Sequence, residues 1–373
     1  MNPTPIRIGI QQRVLPAYRA DFFDLLAEAY QGAVSVFSGE ARADEALGEL
    51  AVLKTASQTQ AENQHLFQGA AYLCNQRGMH QWLQAWNPDV LILEANPRYL
   101  STSPAIAWMH RRRRPVIGWG LGAPVNNNMR AALMKRFWKI FIKQFDYLIT
   151  YSEQGKKEYQ ALGIDENRIF VAPNSVARKP LYPLPFRDET TYRDEKPTLL
   201  FVGRLQARKR LEYLFQACAD LPEALQPHIW IVGDGQEREY FEVLASALYA
   251  DVTFHGALFG MDLDPLFKQA DLFVLPGTGG LAVQQAMSFG LPVMVGQADG
   301  TQSVLVRENN GWIIPPDADE KVFAAMLKEA LSNPQRLREM GRESFRIVQE
   351  EVNVERMVAV FEQAISTACV KKS

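Results

Sequence analysis

Two short turns carry the clearest chemistry in this sequence. The first lies in TLLFVGRLQARKR, where the apolar run Thr198–Val202 predicts a buried strand ending at Gly203, followed at once by Arg204 and Lys209. Arginine can hold a phosphate through two parallel hydrogen bonds, and lysine supplies a mobile point charge. Cations at the carboxyl end of a strand sit where open α/β sheets bind ligands. On this segment alone a solvated basic turn is an equal reading, because Arg208 and Arg210 stand beside them. The second turn lies in ADLFVLPGTGGLAVQQAMSFGLPVMVG, where a strand over Leu272–Leu275 runs into Pro276-Gly277-Thr278-Gly279-Gly280 and a helix begins near Leu281. Glycines let backbone approach a ligand closely, and the free N–H groups of a helix start face an anion. A tight turn without a ligand is the competing reading. It loses ground because Arg204 and Lys209 supply matching charge in the same predicted domain. The pattern is neither a P-loop nor GxGxxG. A third turn, Gly233-Asp234-Gly235 in IWIVGDGQERE, is first of all good turn chemistry and gains weight from the other two.

The elements that must position these turns alternate along the whole chain. Apolar, β-branched runs predict strands at Ile6–Ile10, Val34–Phe37, Asp89–Leu93, Val116–Trp119, Tyr147–Thr150 and Ile169–Ala172. A second series runs through Thr198–Val202, His228–Val232, Val252–Phe254, Leu272–Leu275, Pro292–Val295 and Trp312–Ile314. Stretches of helical period separate them, which predicts doubly wound parallel sheets covered on both faces. Between the series, VARKPLYPLPFRDETTYRDEKP (176–197) holds four prolines and dense charge, and reads as a linker. The expected organisation is an α/β chain of two Rossmann-like, doubly wound domains, 1–185 and 186–350, facing across a cleft. A C-terminal helix in 351–373 packs back on the first domain.

Composition narrows the function classes. The chain has 373 residues, 47% hydrophobic and 22% charged, which suits two globular domains of about 150–200 residues each. A net charge of −2 speaks against a nucleic-acid binder. Three cysteines and five scattered histidines form neither a disulfide framework nor a zinc pattern, so no metal is expected. The N-terminus lacks the apolar run of a signal peptide, and no run approaches the ~18 apolar residues that span a bilayer. A cytoplasmic protein is expected. One asymmetry stands out. Residues 101–150 carry nine Lys/Arg against Asp146 alone, a net of +8, while the remainder is −10.

Taken in order, the turns and their neighbours resemble one family. The matching residues are Gly203-Arg204-Leu205 with Lys209, Gly233-Asp234-Gly235, Phe254-His255-Gly256, Ala270-Asp271 with Pro276, Gly280-Leu281 through Ala286-Met287 to Gly290-Leu291-Pro292-Val293, and Asn310-Gly311. Phe145–Val176 also fits the pattern. The chain resembles the retaining, GT-B-fold glycosyltransferases of family 4. The resemblance implies sugar transfer (hexosyl or deoxyhexosyl) from a nucleotide-diphosphate donor with retained configuration. It implies no cofactor and no obligatory metal. Arg204 and Lys209 would hold the donor diphosphate, with Gly203, Gly233, Thr278, Gly279, Gly280 and Leu281 shaping the same site. A glycan or lipid-linked acceptor, in polysaccharide, lipopolysaccharide or glycolipid synthesis, would complete the reaction.

The departures are as informative. The family commonly has one glutamate two residues before the Gly-Gly pair and another just before Ala-Met. Here those positions hold Gly277 and Gln285. Gln285 can still hydrogen-bond ribose hydroxyls, but Gly277 replaces no carboxylate, so donor recognition is expected to use Thr278 or Asp299. The first domain lacks the glycine-rich loop many relatives carry after the first strand and reads Gln11 to Arg19 instead. Where many relatives have a histidine, it has Trp119-Gly120-Leu121-Gly122. Glu94 and Arg98, just past a strand, are expected to bind acceptor with Trp119 and Gly120, with Glu94 as the base. A structural salt bridge or a helix-start acid is an equal reading of the Glu94 and Arg98 pair.

The basic segment comprises Arg111–Arg114 and the predicted helix Met129–Phe145. That helix sets Lys135, Arg136, Lys139 and Lys143 opposite Leu133, Met134, Phe137, Trp138, Phe141, Ile142 and Phe145. Burial on the sheet explains most of that apolar arc. The basic edge and rim aromatics point to peripheral contact with an anionic membrane surface through 111–143, on the inner face of the plasma membrane. Against the transferase stand a catalytically degenerate nucleotide-sugar binder, motivated by Gly277 and Gln285, and a nucleotide-sugar epimerase, which needs acid/base groups the sequence does not make obvious.

Overall fold

The computed structural model describes residues 5–42, 45, 51–123, 129–279, 281–297 and 302–370. The chain divides into two compact units, 1–176 with 354–373, and 177–353.

In the first unit the strands are β1 (Ile8–Val14), β2 (Val34–Gly39), β3 (Ser57–Leu66), β4 (Leu73–Arg77), β5 (Val90–Glu94), β6 (Val116–Gly120), β7 (Tyr147–Thr150) and β8 (Ile169–Val171). They form one sheet in the order β4-β3-β2-β1-β5-β6-β7-β8. Every pairing is parallel except β3 with β4. β5 and β6 are buried and almost wholly apolar, as burial on both faces of a parallel sheet demands, while β1 and β2 also bury Gln11, Gln12, Ser35 and Ser38. One face packs Phe22, Phe23 and Trp119 against the C-terminal helix Val354–Val370 through Met357, Phe361 and Ile365. The other face packs Phe37, Trp82, Trp108 and Phe145. The pair β3–β4 has no counterpart among the sequence-predicted strands. The β3 residues SQTQAENQHL are polar and mostly exposed, so the apolar signal of a buried strand is missing.

In the second unit β9 (Thr198–Val202), β10 (His228–Val232), β11 (Val252–Gly256), β12 (Leu272–Leu275), β13 (Val293–Gly296) and β14 (Gly311–Ile314) form an all-parallel sheet in the order β11-β10-β9-β12-β13-β14. Phe201, Phe215, Phe267, Phe273 and Phe323 fill its core.

The change of unit falls at 176–177 rather than near 185, and 177–197 is a strap on the second unit. The Arg187 guanidinium donates to the carbonyls of Phe267 (2.7 Å), Ala270 (2.9 Å) and Phe289 (3.1 Å). Tyr182 bonds the Ser288 carbonyl, and Tyr192 bonds that of Leu331. Prolines make the segment irregular, but its polar anchors fix it. The buried Arg338 caps the same strap, donating to the Asp188 carbonyl at 2.8 Å while pairing with Asp271 at 2.8 Å. Among the described residues no helix is long and apolar enough to cross a membrane.

Candidate donor and acceptor sites

In an open parallel sheet the ligand crevice opens at the carboxyl ends of the strands where the winding reverses. The second unit reverses between β9 and β12, which are direct neighbours. The two turns singled out by chemistry, 203–209 and 276–281, leave the carboxyl ends of these two strands.

Close backbone packing holds them. A Cβ on Gly277 would overlap the Arg208 carbonyl and the Lys209 backbone, and the Thr278 amide donates to the Arg208 carbonyl at 3.1 Å. Gly277 therefore lets the turns touch where a side chain would drive them apart. Gly203 and Gly233 serve the same end: Gly233 lies at φ +141° with its Cα against the Gly203 carbonyl, an approach only glycine allows. Lys209 is buried, at 7% exposure, and its Nζ donates to the Thr278 carbonyl at 2.6 Å. Burial, with the charge of Arg208 adding to it, brings its pKa down to about 8. The lysine is thus a desolvated cation sharing its protons with one carbonyl. Arg208 donates to the Thr278 hydroxyl at 3.2 Å. Arg204 is partly buried and has no side-chain hydrogen bond or ion pair among the described residues. The helix Leu281–Ser288 begins beside them with Leu281 exposed, and Gln285 projects partly exposed from its middle. Its neighbour Gln284 is buried and accepts from the Ala177 amide at 3.0 Å while donating to the Val352 carbonyl at 2.7 Å. Gly280 and Asp299 lie outside the described residues.

The first unit reverses between β1 and β5, and Glu94 is the last residue of β5. Its Oε2 accepts from the Arg13 amide at 2.6 Å and from Gln11 Nε2 at 3.3 Å, while its own amide donates to Gln11 Oε1 at 3.0 Å. Gln11 Nε2 also reaches Gln76 Oε1 at 2.5 Å. Burial pushes the Glu94 carboxyl up to about 7, against the Arg13 amide and charge, which pull it down. Arg98 is exposed just beyond, and its amide donates to Asn96 Oδ1 at 3.1 Å.

Two domain models match this chain: "Glycosyltransferase Family 4" over residues 33–179 and "Glycosyl transferases group 1" over residues 185–346. It belongs to the GT-B glycosyltransferases of family 4. Among curated relatives, an uncharacterised glycosyltransferase of Methanocaldococcus jannaschii is 34% identical over 140 residues, 36% of each chain. The match thus spans about a third of that relative's length. Among solved structures, the apo form of the lipopolysaccharide outer core galactosyltransferase WaaB superimposes with a TM-score of 0.67 at 18% identity, covering 97% of this chain and 99% of that one. HepE of Anabaena, in complex with UDP, gives a TM-score of 0.69 at 16% identity over 97% and 100%.

Within this family 4 chain, the structure corrects one acceptor assignment and reshapes another. Trp119 is 2% exposed and sits among Phe22, Phe23, Tyr151 and Phe361, so its ring is core and presents nothing to a ligand. Gly120 is a packing position, since a Cβ there would lie 3.0 Å from the Tyr159 hydroxyl and 3.2 Å from Ala95. Gln11 and Arg13 bond Glu94, and Gln76 in turn bonds Gln11; the sequence alone points to none of the three as a partner of Glu94. The first two do carry a signal, as polar residues at the carboxyl end of a buried strand. Gln76 comes from the polar strand β4, which the sequence hides. In the basic segment, Arg114 caps the helix Met79–Trp86 through the Asn87 and Pro88 carbonyls, and Arg112 lies 3.7 Å from the Trp108 ring centre. In the helix Met129–Ile142, Phe141 and Ile142 are buried while Phe137 and Ile140 are 52% and 60% exposed among Arg136, Lys139 and Lys143. The side chains of Leu133, Met134 and Lys135 lie outside the described residues.

Proposed function

We propose that the chain transfers a glycosyl group, with retention, from a nucleoside-diphosphate sugar to a glycan or lipid-linked acceptor in polysaccharide, lipopolysaccharide or glycolipid assembly. The observation that carries this reading is a desolvated Lys209 on the same turn as Arg204, which has no side-chain partner among the described residues, after the strand β9 at the reversal point of the second sheet. Charge builds on the departing diphosphate during transfer. Fixed cations and helix-start amides near Leu281 stabilise that charge more than they stabilise the ground state. Gln285 offers its amide to ribose hydroxyls, and Glu94 in the first unit takes the proton of the acceptor hydroxyl. The UDP held by the structural relative from Anabaena makes UDP the first nucleotide to try. Thermal unfolding against UDP, GDP, ADP, CMP and dTDP tests the donor site. A nucleotide bound to the native state at 100 times its Kd adds about 2.7 kcal/mol. A rise in Tm with one nucleoside diphosphate is expected, and no rise with any of them overturns the reading.

Gly277 favours a second reading, a binder that holds the nucleotide sugar without turnover, because that residue brings backbone where relatives bring a carboxylate. Stabilisation by a nucleotide with no donor consumption in any acceptor mixture would establish it.

The exposed Phe137 and Ile140, flanked by Arg136, Lys139 and Lys143, support peripheral contact with an anionic bilayer. The chain is expected to float with phosphatidylglycerol vesicles at low salt. Phe137→Ser/Ile140→Ser should release it, and equal flotation of that variant refutes this surface.

A further inference from the structure

The second unit contains a cavity of about 290 Å³ between the strap and the helix Pro334–Glu350, lined by Leu184, Phe186, Arg187, Pro292, Arg338 and Arg342. It lies at the amino ends of the strands: Pro292 leads into β13, and Asp271, the partner of Arg338, leads into β12. The candidate donor turns leave the opposite ends of the same sheet. The four residues of β12, about 13 Å of strand, separate Asp271 from Pro276.

Two guanidinium groups meet here with one carboxylate. Asp271 pairs with Arg338 Nη2 at 2.8 Å, and its other oxygen accepts from the Thr198 amide at 2.8 Å. Arg338 Nε donates to the Asp188 carbonyl at 2.8 Å. Arg338 is only 7% exposed, and its Nη1 is buried without a hydrogen-bond partner among the described residues. Arg187 has no ion pair among the described residues. Its hydrogen bonds all go to carbonyls, those of Phe267, Ala270, Phe289 and Gly290. Burial and the neighbouring Arg338 charge bring its pKa down to about 10, with Asp271 pulling the other way. Arg342 stands at the rim, paired with the exposed Glu189 at 2.9 Å.

Clamping the strap accounts for the bonds to carbonyls and leaves Nη1 unexplained. A buried donor without an acceptor and a guanidinium balanced only by dipoles are both relieved by a second anion. Phe186, 89% exposed, stands with Leu184 and Pro292 on an apolar side of the same cavity. A bare ion would leave that side uncovered, and a neutral apolar group would leave Nη1 unanswered. The lining fits an oxyanion carried on an apolar body.

We infer that this cavity is a second ligand site, which takes an organic oxyanion, a carboxylate or a phosphate ester joined to an apolar body, without competing with a ligand at the candidate donor turns. The inference stands apart from the transferase reading, because every residue it uses lies at the other end of the sheet.

The test is calorimetric titration of the full chain with benzoate, phenyl phosphate, inorganic phosphate and benzyl alcohol. Each titration is repeated in Arg338→Lys, Arg342→Glu and Arg204→Ala. Benzoate or phenyl phosphate is expected to bind ten times or more tighter than both benzyl alcohol and inorganic phosphate, and the tighter of the two identifies the oxyanion. Arg338→Lys keeps a charge beside Asp271 but removes the forked donor, and Arg342→Glu reverses the charge at the rim. Each should weaken that binding at least tenfold, and Arg204→Ala should leave it unchanged. Where Arg338→Lys melts below the wild-type temperature, Arg342→Glu on the exposed rim decides alone. Aromatic anions held no tighter than benzyl alcohol or inorganic phosphate overturn the site. Indifference to the deciding variants overturns it too, and loss in Arg204→Ala places the anion at the donor turns instead.

Discussion

Replacing Lys209 or Arg204 by alanine is expected to lower kcat/KM for the nucleotide sugar by about 2–5 kcal/mol, the cost of leaving a buried anion without its partner. The two residues should act differently. Lys209 is desolvated before any ligand arrives and, among the described residues, has only the Thr278 carbonyl as partner. A diphosphate beside it restores the environment an ammonium needs, so binding raises a pKa that stands at about 8 in the free chain. Nucleotide binding above pH 8 should therefore take up a proton, seen as a buffer-dependent enthalpy, and Lys209→Ala should abolish the uptake. Arg204→Ala leaves Lys209 in place, so it should lower affinity while leaving the uptake unchanged. For stability the sign is opposite to that of an ion pair. Below pH 8 the lysine is charged in both states, and the folded state bears the desolvation cost. Between about 8 and the unfolded value near 10.5 the folded chain sheds the proton first, so stability rises through that window. Near-normal donor kinetics in both variants would remove the diphosphate from this site.

The proposed donor half was legible as a position because its residues lie in contiguous turns. A buried parallel strand announces itself as an apolar run, and the carboxyl ends of such strands are where open α/β sheets bind ligands. Arg204, Lys209 and Thr278 can thus be placed at those ends from sequence without their distances. The close approach of Gly277 to the 208–209 backbone was not legible, because contact between distant turns leaves no local pattern. In sequence its missing carboxylate reads as a deficit, whereas in the structure the missing side chain is what lets Lys209 reach Thr278. The acceptor half was harder for a related reason. Trp119 comes at the end of a strand as a ligand contact would, yet the C-terminal helix, distant in sequence, brings Phe361 onto its ring at 4.9 Å and closes it into the core. The polar strands β3 and β4 carry no apolar alternation, so Gln76 could not be placed against Gln11, the residue that bonds Glu94. The same irregularity that marks 176–197 as a linker conceals the anchors Tyr182, Arg187 and Tyr192, whose partners are carbonyls that sequence does not reveal.

Glu94 supplies the second large expectation, and its environment separates a base from a brace. A carboxyl near 7 is poised to accept a proton at neutral pH, where an ordinary glutamate is too weak a base to do so effectively. Glutamine at 94 keeps the oxygen that accepts from the Arg13 amide and Gln11, so it preserves the local scaffold. If the carboxylate removes the acceptor proton, Glu94→Gln should lower kcat by roughly 10²–10⁴ while nucleotide affinity holds. The acidic limb of the wild-type pH–rate profile, with its midpoint near 7, should vanish with it. Stability supplies an independent sign. Burial favours the protonated carboxyl in the folded chain, so wild type loses stability as pH rises from about 4.5 through about 7. The full loss is up to about 3 kcal/mol for a shift of this size. Glu94→Gln, which has no proton to lose, should match wild type at pH 4.5 and exceed it at pH 8. A variant more stable at pH 8 yet still turning over within threefold of wild type would show that Glu94 only braces Arg13. The proton of the acceptor hydroxyl would then have to leave by another group.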